Sequence, residues 1–150
     1  FAQVSDAARI PIMVQDAPLS GVDLSIRFLV QLAKEIEQVR YFKIETPGTA
    51  DKLRALLAAG GDSIEGPFDG EESITLMADL NAGATGTMSS ALLPELIKSV
   101  VVLYRDGKVD DAVLGASVDY ASQVPLLWLG YLGQNHFVIV GIRDRNCGAL

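Results

Sequence analysis

The chain has one cysteine, one histidine and no run of basic residues. A single thiol excludes an intrachain disulfide and points to a reducing cytoplasm. Cys147 and His136 could form a nucleophile pair only if the fold brought them together, and each reads more simply as structural. No uninterrupted apolar stretch reaches the roughly 18 residues that a bilayer span needs, so no membrane partner is expected. The 12 Lys and Arg are scattered among 19 Asp and Glu, and the net charge of −7 argues against a nucleic-acid backbone or an anionic membrane as partner. That field does not exclude a small anion held locally by a lysine and backbone N–H groups. The opening "FAQVSDAARIPIMVQDAP" has no initiating methionine and lacks the basic-then-apolar layout of a signal peptide. A processed chain, or a piece of a longer one, is the expectation.

What is present describes an ordinary globular protein: 150 residues, 49% apolar and 21% charged, enough for one sizeable core. "IPIMVQD", residues 10–16, reads as a short strand ended by the turn signal "APLSG". From 22 to 39 the residues Val22, Ile26, Leu29, Leu32, Ala33, Ile36 and Val39 keep a three-to-four-residue rhythm and predict an amphipathic helix. "RYFKIET" predicts a second strand, broken at Pro47–Gly48. "TADKLRALLAAGG" predicts a helix with Thr49 as N-cap and Gly60–Gly61 as its stop. A brief strand at Ser63–Glu65, a helix over "EESITLMADLNAG", a strand and loop in "ATGTMSS" and a helix over "ALLPELIKSVVVLYRDG" follow. "FVIVGI" in the apolar tail has strand character but no evident place.

Strand–helix alternation with short connections predicts parallel strands joined by right-handed crossovers, either in an open sheet or in part of a (β/α)8 barrel. No linker divides the chain before about residue 122, so the expected organisation is one unit over 1–122 and an apolar tail over 123–150.

Lys43 stands in the middle of the strand-like run "EQVRYFKIETP". On a strand, Tyr41, Lys43 and Glu45 share one face while Phe42 and Ile44 share the other. In a barrel the first set would look inward, and the second would pack under helices. A lysine facing a barrel interior is desolvated, which favours the neutral amine that attacks a carbonyl to form a Schiff base. The plainer alternative is a lysine that snorkels to solvent or pairs with Glu45. "NAGATGTMSS" packs small residues where a strand end could offer N–H groups to a carboxylate or phosphate, but fits no nucleotide-binding fingerprint. Asp69, Glu71 and Glu72 could suggest a metal; acids in the first turn of a helix explain them more simply, and no metal is expected.

In order and spacing, "IPIMVQDAP", "YFKIETP", "GDSIEGPFDGEE", "NAGATGTMSS" and "LLPELIKSVVVLYRDGKVDDA" resemble the second half of the dihydrodipicolinate synthase/N-acetylneuraminate lyase superfamily. The resemblance implies an α/β fold: parallel (β/α) units equivalent to the second half of a TIM barrel, plus C-terminal helices. It implies Schiff-base lyase chemistry on a pyruvate-like 2-keto acid, with no cofactor. Lys43 matches the family's Schiff-base lysine, and Gly66 matches a glycine of the loop after the following strand. Gly86, Thr87, Met88 and Ser89 match residues lining the keto-acid site, where their backbone would help hold the substrate carboxylate. Pro18 matches the proline after the first strand here.

Common members carry a proton-relay tyrosine where this chain has Gln15, and glutamine cannot relay a proton as a phenol does. "VQDAPLSG" with "YFKIE" looks more like the branch that dehydrates 2-keto-3-deoxy sugar acids, in which Gln15 and Glu45 would contact substrate. Family members run to about twice this length, so a homo-oligomer that completes the barrel is a further expectation. The apolar tail covering one sheet edge is another. The competing readings are a dihydrodipicolinate synthase-like aldolase, a non-catalytic barrel module acting only in assembly, and an open sheet binding a phosphate-containing ligand.

Overall fold

The computed structural model of the chain describes residues 1–17, 20–70, 73–89, 94–117 and 140–141. Four strands lie parallel and in sequence order: β1 (Ile12–Asp16), β2 (Val39–Ile44), β3 (Gly66–Asp69) and β4 (Gly86–Thr87). Helices α2 (Ile26–Glu35), α3 (Thr49–Gly60) and α4 (Leu76–Asn81) make the crossovers, and α1 (Ala2–Ala8) precedes the sheet. A longer helix, α5 (Pro94–Arg105), follows β4, and residues 109–117 are again helical. The fifth strand, β5 (Val140–Gly141), pairs with β4 antiparallel. The tail therefore covers one edge of the sheet with part of its "FVIVGI" segment, while β1 forms the other edge.

One face of the sheet is buried under helices. Val14, Val39, Phe42 and Ile44 pack with Leu29, Leu32, Leu53 and Leu56 into a continuous core. The two-residue period of β2 does this directly, sending Phe42 and Ile44 under α2 and α3 as the sequence predicts. Leu76, Leu80, Ile97, Val100, Val101 and Ala112 make a second cluster around α4 and α5.

Several boundaries differ from those predicted. The helix expected over 22–39 is shorter at both ends. Ser25 caps it, its hydroxyl accepting from the Phe28 amide at 3.3 Å, and Val22 lies outside and exposed. At the other end Ile36 turns extended, and Val39 becomes the first, fully buried residue of β2. Thr49 is not the N-cap of α3. Gly48, at φ 76°, takes that position, and the Thr49 hydroxyl instead donates back to the Thr46 carbonyl at 2.7 Å. Gly61 ends α3 as expected.

The strand expected at Ser63–Glu65 begins later, at Gly66, because a single 3₁₀ turn over Gly61–Ser63 uses up the intervening residues. Asp69 is not a helix-capping acid: it ends β3 and is wholly buried. Glu71 and Glu72, like Pro18, His136 and Cys147, lie outside the described residues. Among the described residues no helix is long and apolar enough to cross a membrane, and no acid, histidine or cysteine cluster could hold a metal.

Candidate active site

The face of the sheet opposite the helices carries Met13, Gln15, Tyr41, Lys43, Phe68 and Gly86, and its chemistry gathers at the C-terminal ends of β1 and β2. Parallel register places Gln15 beside Lys43, and Lys43 beside Phe68, which in turn pairs with Gly86. The Lys43 side chain is only 3% exposed, so it does not snorkel to solvent. Its Nζ lies 3.3 Å from Oε1 of Glu45, and the Glu45 side chain remains 22% exposed. The other carboxylate oxygen accepts a hydrogen bond of 2.6 Å from Gln15 Nε2. Lys43, Glu45 and Gln15 thus form one connected group: a buried amine, a carboxylate beside it, and an amide holding the carboxylate from the far side.

The elements hold this group tightly. Glu45 stands one residue past β2, where its N–H donates to the Asp16 carbonyl at 2.9 Å. The Gly70 amide donates to the Ile44 carbonyl at 2.9 Å, extending the pairing of β2 and β3 above Lys43. A Cβ at Gly70 would lie 2.7 Å from Lys43 Cε and 3.1 Å from Glu45 Cβ, so only a glycine lets the lysine stem and the acid pass. Sequence reasoning missed Gly70. The signal lay in "GPFDG", whose last glycine follows the strand directly, but a strand set at 63–65 hides it.

Gly66 is correspondingly not in the loop after the strand. It is the first residue of β3, paired with Tyr41, and a Cβ there would sit 2.7 Å from the Tyr41 ring. It lies on the Lys43 face but toward the opposite end of the strands, where it makes room for an aromatic ring.

The stretch from Gly86 to Ser89 divides. Gly86 is on the Lys43 face by register. Thr87 faces the helices: it is wholly buried, donates to Asp69 Oδ2 at 2.7 Å and lies 3.2 Å from the Ser73 hydroxyl. Its side chain therefore belongs to a buried hydrogen-bond chain and not to the Lys43 face. Met88 donates its N–H to the Asp69 carbonyl at 2.8 Å, so this amide is already engaged and is not available to a carboxylate. Ser89 differs from both, because its hydroxyl is buried with no hydrogen-bond partner among the described residues. The Thr46 hydroxyl, just past Glu45, is in the same condition.

A second charged group lies on the helix face beneath this one. Asp16, at the end of β1, is fully buried; Lys52 Nζ stands 2.6 Å from its Oδ2 and also contacts Asp23. Burial pushes the Lys52 amine down, but the hydrogen bonds and charges of Asp16 and Asp23 together outweigh that and hold it above the ordinary lysine value of 10.5.

Comparison with known proteins agrees with this geometry. No family model matches the chain. An L-2-keto-3-deoxyarabonate dehydratase from Azospirillum brasilense is 57% identical over 127 residues, which cover 85% of this chain and 40% of that protein. The chain thus spans about two fifths of the length of the curated relative it matches. The crystal structure of dihydrodipicolinate synthase from Rhodopseudomonas palustris superposes with a TM-score of 0.68 at 23% identity, covering 83% of this chain and 42% of that one. YagE, a prophage protein of the dihydrodipicolinic acid synthase family from E. coli K12 solved in complex with pyruvate, gives 0.71 at 23% identity, over 85% and 43% of the two chains. The last two show the fold: the four parallel strands correspond to part of a TIM barrel.

Proposed function

We infer that this chain, which belongs to the dihydrodipicolinate synthase family, carries the Schiff-base centre of a lyase that removes water from a 2-keto-3-deoxy sugar acid. The observation that carries this reading is the buried Lys43 amine at 3.3 Å from a partly exposed carboxylate on the face opposite the helices. Identity of 57% to a sugar-acid dehydratase favours dehydration over aldol cleavage.

In this mechanism Glu45 takes a proton from the Lys43 ammonium, and the neutral amine attacks the C2 carbonyl of the substrate. Glu45 returns this proton to the carbinolamine oxygen, which leaves as water and gives an imine whose positive nitrogen is an electron sink. Glu45, again a carboxylate, takes a C3 proton to form the enamine. Electrons returning from nitrogen then expel the C4 hydroxyl, which leaves as water by taking that proton from Glu45. Hydrolysis of the imine releases the product and restores Lys43. Gln15 holds Glu45 toward the reacting atoms and does not itself transfer a proton. Ser89, whose hydroxyl has a donor to spare, binds the substrate carboxylate, while Gly86, paired on both sides within the sheet, leaves room on the Lys43 face.

The test is reductive trapping. The protein is incubated with pyruvate or a 2-keto-3-deoxy acid, reduced with borohydride and weighed intact. A mass increase of one reduced adduct that is absent from Lys43→Ala supports the reading, and its absence from folded wild-type protein overturns it for this chain.

A second reading rests on β1 having a strand neighbour on one side only among the described residues, and on the chain spanning 40% of its relative: a non-catalytic half-barrel acting in assembly. Both readings propose a partner at that edge, in the simplest case a second copy of the chain completing the barrel. Light scattering gives the solution mass. A dimer that traps keto acid supports the enzyme, and a dimer that does not supports the assembly module. A single cysteine suits a cytoplasmic setting for either.

A further inference from the structure

We propose that the Asp16–Lys52 ion pair is a positioning device for the active-site acid: it fixes Glu45, and through Glu45 the geometry at Lys43. The proposal rests on the reading of Lys43 and Glu45 given above, since the acid–amine couple is what it positions. Asp16 ties Glu45 to the end of β1. Its carbonyl accepts the Glu45 N–H at 2.9 Å, and this bond fixes the acid's backbone where the strand has already ended. Its neighbour Gln15 donates to the Glu45 carboxylate at 2.6 Å, so both the backbone and the side chain of Glu45 are tied to the end of β1.

What holds the end of β1 is on the other face. The Asp16 Oδ1 accepts from the Leu24 amide at 3.1 Å, and Oδ2 faces Lys52 Nζ at 2.6 Å. Lys52 belongs to the first turns of α3 and also reaches Asp23. The segment 23–24 is thereby clasped from both sides, and Ser20 closes the same loop by bonding to the carbonyls of Ala17 and Val22. An apolar pair of the same volume could fill this space as stably. An ion pair adds direction: it sets the rotation of Asp16 about the strand, and that rotation aims its carbonyl at Glu45.

The experiment compares wild-type protein with Lys52→Met, Lys52→Arg and Asp16→Asn. Amide hydrogen exchange is read at Leu24 and Glu45, with Leu56 in α3 as internal reference. The rate and half-saturating concentration of pyruvate trapping are measured on the same samples. Compared at matched global stability, set by adding urea to wild type until Leu56 exchanges alike in both, Lys52→Met is expected to speed exchange at Leu24 and Glu45 by about tenfold or more. The maximal trapping rate should fall by about tenfold with the half-saturating concentration held within about twofold, because geometry and not binding has been lost. Lys52→Arg should restore most of both.

Unchanged exchange at Leu24 and Glu45 overturns the proposal. So does faster exchange with an unchanged trapping rate, which would make the pair structural only. If wild-type protein forms no adduct, the catalytic reading fails by itself, and exchange at Glu45 alone then decides whether the clasp holds that residue. Should Lys52→Met not fold, Asp16→Asn carries the same comparison, since it keeps the side chain's shape and the acceptor for Leu24.

Discussion

Lys43 and Lys52 each stand beside a carboxylate, but on opposite faces of one sheet and with different geometry. Lys52 is gripped by Asp16 and Asp23 together, and the Asp16 side chain is fully shielded from solvent. Lys43 is the more buried of the two amines, yet its carboxylate stands further off, at 3.3 Å, and keeps contact with solvent. A lysine held by two close carboxylates is stabilised as an ammonium and cannot easily become a nucleophile. Lys43, shielded from water beside a carboxylate that keeps contact with solvent, has the arrangement that the proposed amine chemistry uses. The same two residue types therefore give a tightly gripped pair on one face and a looser pair on the other, where the proposed chemistry would lie, and what separates them is the distance and exposure of the acids.

Five substitutions break or sharpen this contrast. The largest effect is expected from Lys43→Ala, which should abolish the borohydride-trapped adduct by intact mass while leaving the circular dichroism spectrum unchanged. Lys52→Met should leave Asp16 buried without its cation and destabilise the fold by about 3–5 kcal/mol in urea titrations at pH 7. The pH dependence follows from the raised Lys52 value: the pair's stabilisation is fully present below 10.5 and is lost as the pH rises through the higher folded-state value. The stability gap between wild type and Lys52→Met should therefore close in strongly alkaline buffer. A gap that persists there would show that packing, not charge, holds Asp16.

Glu45→Gln should slow water loss by about a hundredfold or more, followed as release of the dehydrated keto acid, while a trappable adduct still forms. Gly70→Ala should push the Lys43 stem aside and slow trapping by about a hundredfold, with a smaller change in urea midpoint. The smallest effect is expected from Asp23→Asn, within about 1 kcal/mol, because that partner of Lys52 is largely solvated. A large loss at Asp23 would make the exposed acid, and not Asp16, the main holder of Lys52.

The face that carries Lys43 and Glu45 was legible because strands alternate. Once "RYFKI" is a strand, Lys43 and Glu45 must share a face and Phe42 and Ile44 must share the other, whatever surrounds them. Strand–helix alternation likewise implied the parallel order of β1 to β4. Helix ends were less legible, because Val22 and Val39 fall in phase with α2 by rhythm alone. Only the Ser25 cap and the clasp on Asp23–Leu24 show why the chain leaves the helix before them. The position of β3 was obscured by Gly66 and Pro67, residues that ordinarily argue against a strand. Here the glycine admits the Tyr41 ring, and the Pro67 carbonyl still accepts from the Thr85 amide at 2.8 Å. Thr87 could not be assigned to a face without that register. The Asp16–Lys52 pair was invisible for a different reason: it joins a strand end to a helix distant in sequence, and no local pattern marks it.

The antiparallel pairing of β5 with β4 gives the sheet a direction of growth. Strands that continue a barrel must join edge to edge in parallel, and Val140–Gly141 already occupies the outer side of Gly86–Thr87 with its chain running the other way. Among the described residues, β1 is the edge strand that lacks a second neighbour. Closure into a ring would also require a parallel strand to take the place of β5, a pairing two residues long. Any partner of the proposed kind would thus meet an occupied edge at β4 and, among the described residues, a strand without a neighbour at β1.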